Sequence, residues 1–291
     1  MTDGVDWKDL EVKGYVVVRS FLAEDEVRVL LDDFEKGTPA SKYPFGFKLV
    51  GRAALAKAWP KIERVLEEAR AGTSLQVDVL NFLTLSHYID TAGTERTSFL
   101  HQDFDLDYKL TLDHENYLNF WIPLAKPELG RSNLCVIPFD ALEARSPTAF
   151  ARLRGSGGHR LTSASGRTSV YGSNGEVLYG ETAEPEFVLD FYIEEIAATP
   201  LLGVGDLLLM RGDLLHRTQD SATARTAASI RATWSGKTIR RERIGAPPAG
   251  SARTPGAHIH ATLERCFDAL GRAEITVKEL TDFANGVRPG G

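Results

Sequence analysis

Gly205-Asp206-Leu207-Leu208-Leu209-Met210, with His216 a few residues beyond, is the stretch on which the reading of this chain turns. A Gly-Asp pair feeding an unbroken apolar run reads as a turn into a buried strand, here one that leads to a histidine. A companion for that histidine stands earlier, in His101-Gln102-Asp103. Residues two apart on a strand share a face, so one short strand aims His101 and Asp103 at a common point. Two imidazoles and one carboxylate make a facial set. It holds a non-haem Fe(II) by one side and leaves the opposite positions open for substrate and dioxygen. With seven histidines in the chain a bare His-x-Asp is weak evidence, and a hydrogen-bonded structural pair is its ordinary meaning. The turn, the buried run and His216 together shift the balance toward a metal.

Outward from these residues the chain is strand after strand. Val77 to Tyr88 reads as one long strand, followed by Tyr117 to Leu124, Leu134 to Ile137, Phe187 to Ile193, Asp206 to Arg211 and Thr226 to Trp234. Short strands parted by turns predict an antiparallel sandwich or barrel rather than a βαβ fold. Before them, Gly14 to Arg19 reads as a strand. Ala23 to Glu35 reads as a helix with Asp25 and Glu26 in its first turn, and Trp59 to Ala71 as a second helix stopped by Gly72. The connection 138–200 is long for a join between core strands, and such segments are often lids. Its Gly155-Ser156-Gly157-Gly158 run and a hairpin about Asn174-Gly175 suggest either a cover bringing Arg160, Arg167 or Tyr171 onto a substrate, or surface ornament. Residues 245–255 read as a linker to a last helix, Ala257 to Leu270.

With 291 residues, 43% hydrophobic and 25% charged, the chain suits one large soluble domain. The expected division is an N-terminal helical region over residues 1–74, a core over 75–235 carrying the 138–200 insert, and a C-terminal extension over 236–291. A net charge of −6 argues against nucleic acid or an anionic membrane as a general partner. No apolar run of membrane-spanning length and no leader-like start are present, and Cys135 and Cys266 match no disulfide or metal spacing. A reducing cytoplasm is the expected compartment and a small molecule the expected partner; oligomeric state is not legible.

Arg225, nine residues after His216, opens the last core strand. An arginine fork meets a carboxylate through two parallel hydrogen bonds, which lysine cannot copy. On these motifs, together with Gly14-Tyr15-Val16-Val17-Val18 before Phe21-Leu22 and an acidic helix, the chain resembles the phytanoyl-CoA dioxygenase-like family of Fe(II)/2-oxoglutarate oxygenases over most of residues 10–235. The resemblance implies a mainly β fold, a double-stranded β-helix or cupin-like jelly roll with N-terminal helices packed on one sheet. Residue by residue, it implies that His101, Asp103 and His216 bind Fe(II). It further implies that Arg225 pairs with the distal carboxylate of the cosubstrate 2-oxoglutarate, and that Thr218 gives a hydroxyl to the same carboxylate. Asn119 and Trp121, alternating along one strand, and Tyr88 on an earlier one are expected as walls of that pocket. Arg231 shares strand parity with Arg225 and is its rival.

The implied activity is oxygen-dependent oxidation, by default hydroxylation, of an unactivated C–H bond in a small polar metabolite or natural-product intermediate. Desaturation and oxidative cyclisation use the same machinery, whereas halogenation is disfavoured because Asp103 is present. Rival classes are a zinc hydrolase on the same ligands, which has no need of Arg225 and Thr218, and a jelly-roll binding protein without turnover. His87 and His114 read as surface or core histidines, and His258 and His260, near the last helix, as outside the chemistry. Asp105 and Asp107, on the strand parity of Asp103, read as a solvated loop ahead of contacts to a polar substrate, and Arg96 as a substrate-carboxylate candidate.

Overall fold

Two antiparallel sheets enclose a common interior, and the central strands of the larger one are buried on both faces. The computed structural model describes residues 4–37, 48–90, 99–103, 105–172, 184–219, 224–245 and 255–287. The N-terminal region runs through α1 (Asp9–Val12), β1 (Tyr15–Val18), α2 (Glu24–Lys36), β2 (Lys48–Leu49) and α3 (Arg52–Gly72). Next come β3 (Val79–Leu80), β4 (His87–Asp90), β5 (Leu100–His101), α4 (Leu106–Thr111), β6 (Tyr117–Ala125) and β7 (Leu134–Val136). The insert holds α5 (Phe139–Arg145), α6 (Pro147–Leu153), β8 (Arg160–Ala164), β9 (Arg167–Tyr171) and β10 (Phe187–Leu189). The core closes with β11 (Leu207–Arg211), β12 (His216–Thr218) and β13 (Thr226–Thr233), and the extension adds β14 (Thr238–Arg240), α7 (Pro255–Leu270), β15 (Glu274–Thr276) and α8 (Val277–Ala284).

The larger sheet has the order β1-β11-β6-β13-β4-β2, with β3 also on β13; the smaller has the order β10-β9-β8-β5-β12-β7. The chain changes sheet at each step from β4 to β5, β6 to β7, and β11 to β12 to β13. That alternation is the double-stranded β-helix, and it matches the jelly roll expected from the sequence. Strand β11 explains the apolar run. Leu207 and Leu209 pack outward with α2 and α3, while Leu208 and Met210 face the interior. Gly205 makes the entry turn at φ +80°, and a Cβ there would meet the Leu22 carbonyl at 2.6 Å. Asp206 ties the turn to the N-terminal segment through the Ser20 amide (2.9 Å) and Arg19 (2.7 Å).

Three expectations need correction. Val77 to Tyr88 is not one strand: the Asn81 side chain accepts from the Leu83 and Thr84 amides at 2.9 and 3.1 Å, a local turn that breaks the run into β3 and β4. The second helix starts at Arg52, earlier than Trp59, and carries Pro60 inside it. The insert is neither loose ornament nor a detached cover in its described residues, because β8, β9 and β10 extend the smaller sheet from β5. Leu100, Leu161, Val170, Leu189 and Leu215 pack there with Leu142 and Leu153 of α5 and α6 as a core of their own. Burying each such leucine contributes about 1.5–3 kcal/mol. The Asn174-Gly175 turn, Arg96 and most of the 245–255 linker lie outside the described residues. No described helix is long and apolar enough to cross a membrane.

Candidate metal centre

β5 and β12 are neighbours in the smaller sheet, and His101 stands opposite His216 in their register. Residues opposed across an antiparallel ladder share a face; the two imidazoles lie 4.6 Å apart, centroid to centroid. Asp103 Oδ1 lies 4.0 Å from His101 Nε2 and 3.7 Å from His216 Nε2. Ligand atoms of all three fall within 4.8 Å of one another. Each ring's other nitrogen is tied to backbone, His101 Nδ1 to the Phe99 carbonyl (2.9 Å) and His216 Nδ1 to the Leu214 carbonyl (3.0 Å). A proton on each Nδ1 leaves both Nε2 lone pairs facing the carboxylate, as a metal requires. Burial, then the neighbouring His216, push the His101 pKa down to about 4, so this ring is neutral at pH 7. Burial alone would raise Asp103, but the Arg231 guanidinium and both imidazoles hold its carboxyl far below the ordinary range. Two imidazoles and one carboxylate on one side of a pocket fit a divalent ion such as Fe(II).

The intervening residue works on the opposite face. Gln102, buried, donates from Nε2 to the carbonyls of Leu153 and Asp213, both at 2.7 Å. It thereby clamps the ligand segment to α6 and to the loop before β12. Arg211 grips Asp213 in that loop with contacts of 2.9 and 2.7 Å, and Leu214, next in line, orients His216.

The interior face of β13 carries Arg225 at its entrance and Arg231 near its far end. Arg225 donates to the Ser132 carbonyl (2.7 Å) and the Thr218 hydroxyl (3.3 Å), with its guanidinium 5.0 Å from the Trp121 ring. Ser132 supplies that carbonyl from a left-handed backbone (φ 53°) although it is not glycine. Trp121 is fully buried, and its indole N–H has no hydrogen-bond partner among the described residues, a donor that an anionic ligand beside Arg225 would satisfy. The donor set therefore fits a carboxylate cosubstrate. Asn119 faces the same interior, where its Oδ1 accepts from Ser229 at 2.8 Å.

Tyr88 does not join this group. It points to the other side of the larger sheet, packs on Phe34 and donates to Asp33 of α2 at 2.7 Å. Its neighbour His87 has the opposite parity, stands opposite Ser229 and has a pKa pushed down to about 4 by burial and by Arg231. Sequence reasoning misses His87, although its parity relative to Tyr88 is the available signal. Arg231, the rival for the cosubstrate, ion-pairs instead with Asp103 and donates to the Tyr117 hydroxyl at 3.0 Å. Asp105 and Asp107 are not a solvated loop: Asp105 caps α4 through the Tyr108 amide, and buried Asp107 pairs with Lys237 at 2.8 Å. His114 is buried between the rings of Tyr108 and Tyr117, His258 is exposed on α7, and His260 meets the Gly245 carbonyl.

No family model and no curated protein matches the chain. Among solved structures it is similar to the non-haem α-ketoglutarate-dependent epimerase SnoN from nogalamycin biosynthesis, at 13% identity and a TM-score of 0.48, covering 84% of this chain and 90% of that one. HygX from Streptomyces hygroscopicus, with nickel and 2-oxoglutarate bound, gives 14% identity, a TM-score of 0.46 and coverage of 78% and 85%. A Pseudomonas putida prolyl-4-hydroxylase gives 13%, 0.45, and 79% and 98%.

Proposed function

We propose that the protein is an Fe(II)- and 2-oxoglutarate-dependent oxygenase that oxidises, by default hydroxylates, a C–H bond of a small polar metabolite or natural-product intermediate. The observation that carries this reading is the meeting, inside one barrel, of the His101, Asp103 and His216 set with Arg225 and Thr218. A zinc hydrolase or an inert binding barrel has use for the first group but not for the second. Bound Fe(II), with 2-oxoglutarate and dioxygen, supplies the oxidising power, and the cosubstrate ends as succinate and carbon dioxide. His101, Asp103 and His216 hold the metal by one face. Arg225 and Thr218 receive the distal carboxylate, with Trp121 as wall and N–H donor, while the interior-facing Leu208 and Met210 of β11 exclude water.

The substrate side of this reading rests on the smaller sheet. Arg160 stands opposite His101, and Tyr171 opposite Arg160, so both share the face of the metal ligands. Half-buried arginine and tyrosine beside the metal suit a polar substrate better than a lipid chain. Two free, buried cysteines agree with a reducing, cytoplasmic setting. The test is succinate formation from 2-oxoglutarate with Fe(II) and ascorbate, in the wild type and in Arg225→Ala. Iron-dependent succinate that collapses in the variant supports the reading; turnover with zinc and no succinate overturns it.

A further inference from the structure

Asp103 has two oxygens and the fold treats them differently. Oδ1 faces the two imidazoles, at 4.0 and 3.7 Å from their Nε2 atoms. Oδ2 is taken by Arg231 Nη1. The guanidinium is itself held, donating to the Tyr117 hydroxyl at 3.0 Å, and Arg231 is almost wholly buried at 6% exposure. Tyr117 is fully buried on the paired strand β6, where Thr233, two residues beyond Arg231, is its register partner. The brace is therefore built from two adjacent core strands rather than from a surface loop.

Placing a guanidinium against a metal ligand sets a positive charge near a divalent ion, which costs electrostatic energy in a dry interior. A return in geometry offsets that cost. A carboxylate can bind a metal through one oxygen or through both, and the second mode fills an extra coordination position. With Oδ2 committed to Arg231, only Oδ1 can turn to the metal. We propose that Arg231, braced by Tyr117, is a positioning residue that keeps Asp103 a one-oxygen ligand and so reserves a coordination position for what must bind there. This rests on the reading of His101, Asp103 and His216 as the metal site.

Mn(II) alone is the probe, and the water-proton relaxation of its complex with the full chain counts the waters it carries. A six-coordinate ion held by three protein ligands keeps about three open positions. Arg231→Gln lets both carboxylate oxygens close on the metal and lowers the relaxivity by about a third, one position of roughly three. Arg231→Lys, which keeps the charge, restores most of the loss. Tyr117→Phe, expected to fold where Arg231→Gln does not, moves the value in the same direction by less. Arg19→Ala leaves it unchanged, since that cation pairs with Asp206 at the entry turn and touches none of the three ligands. Equal relaxivity in the wild type, Arg231→Gln and Tyr117→Phe, with each binding Mn(II), overturns the inference while leaving the metal site standing. A wild type that binds no Mn(II), Co(II) or Fe(II) overturns the site and the inference with it.

Discussion

The residue that leads into strand β13 and one near the strand's far end are both inward-facing arginines, and they do different work. At the entrance Arg225 meets a carbonyl, a hydroxyl and an aromatic face. Near the far end Arg231 meets the carboxylate of Asp103 and a phenol. On the proposed reading the first arginine, beside a hydroxyl and a ring, receives the cosubstrate carboxylate, whereas the second, locked to a fixed carboxylate, shapes that carboxylate. Strand parity makes both inward-facing, and only the partners separate the roles.

The largest expected effect erases the contrast. His216→Ala or Asp103→Ala should abolish both metal binding, read by calorimetry with Co(II), and succinate production, leaving neither arginine anything to serve. Retained iron-dependent turnover in either variant would falsify the ligand set. Next, Arg225→Ala should raise the KM for 2-oxoglutarate by the equivalent of about 2–5 kcal/mol, because a buried carboxylate loses its partner. Arg231→Ala should raise that KM far less. If the two effects are exchanged, the comparison is inverted.

Gln102→Leu tests whether the clamp beneath the ligands matters as much as what stands beside them. It strands the Asp213 carbonyl, at about 1–3 kcal/mol for an unsatisfied group, while the Leu153 carbonyl keeps the Ser156 hydroxyl at 2.6 Å. Urea unfolding should report that loss, and Co(II) affinity should fall with it; an unchanged midpoint would remove the clamp from the account. Arg160→Ala should weaken substrate binding while leaving 2-oxoglutarate-dependent succinate formation in the absence of substrate intact, and a change only in the latter would count against the proposed substrate face.

The smallest effect is a slope with pH. His87 has its pKa lowered to about 4 by burial and by Arg231, against an ordinary value near 6.5. Between those values the unfolded chain binds more protons than the folded one, so stability falls as pH drops from about 6.5 toward 4. His87→Gln should flatten the slope in urea midpoints measured across that window, and an identical slope would show that His87 sits in water.

The antiparallel sheets and the meeting of His101, Asp103 and His216 are legible in the sequence, the first from short strands parted by turns and the second from the His101/Asp103 spacing. Arg225 and Thr218 are legible from their offsets to His216, and the structure brings them within hydrogen-bonding distance of each other. Tyr88 misleads because nothing in the residues around it says which side of the larger sheet β4 turns it to, and it meets Asp33 and Phe34 of α2 instead. The Arg231 brace is hidden since nothing in spacing says that an inward arginine will meet Asp103 rather than a ligand. The insert misleads for a different cause. Its strand β8 pairs with β5, a partner some sixty residues back, and long-range pairing leaves no local mark.

The two rows of side chains on β8 and β9 make this insert an adjustable element. Leu161 and Val170 belong to the buried row, and Arg160 and Tyr171 to the row beside the metal. Adjacent positions thus answer to separate pressures, one to holding the chain together and, on the proposed reading, the next to choosing what it acts upon. Selection, or a designer, can rewrite the second row for a new substrate while the first keeps the scaffold intact.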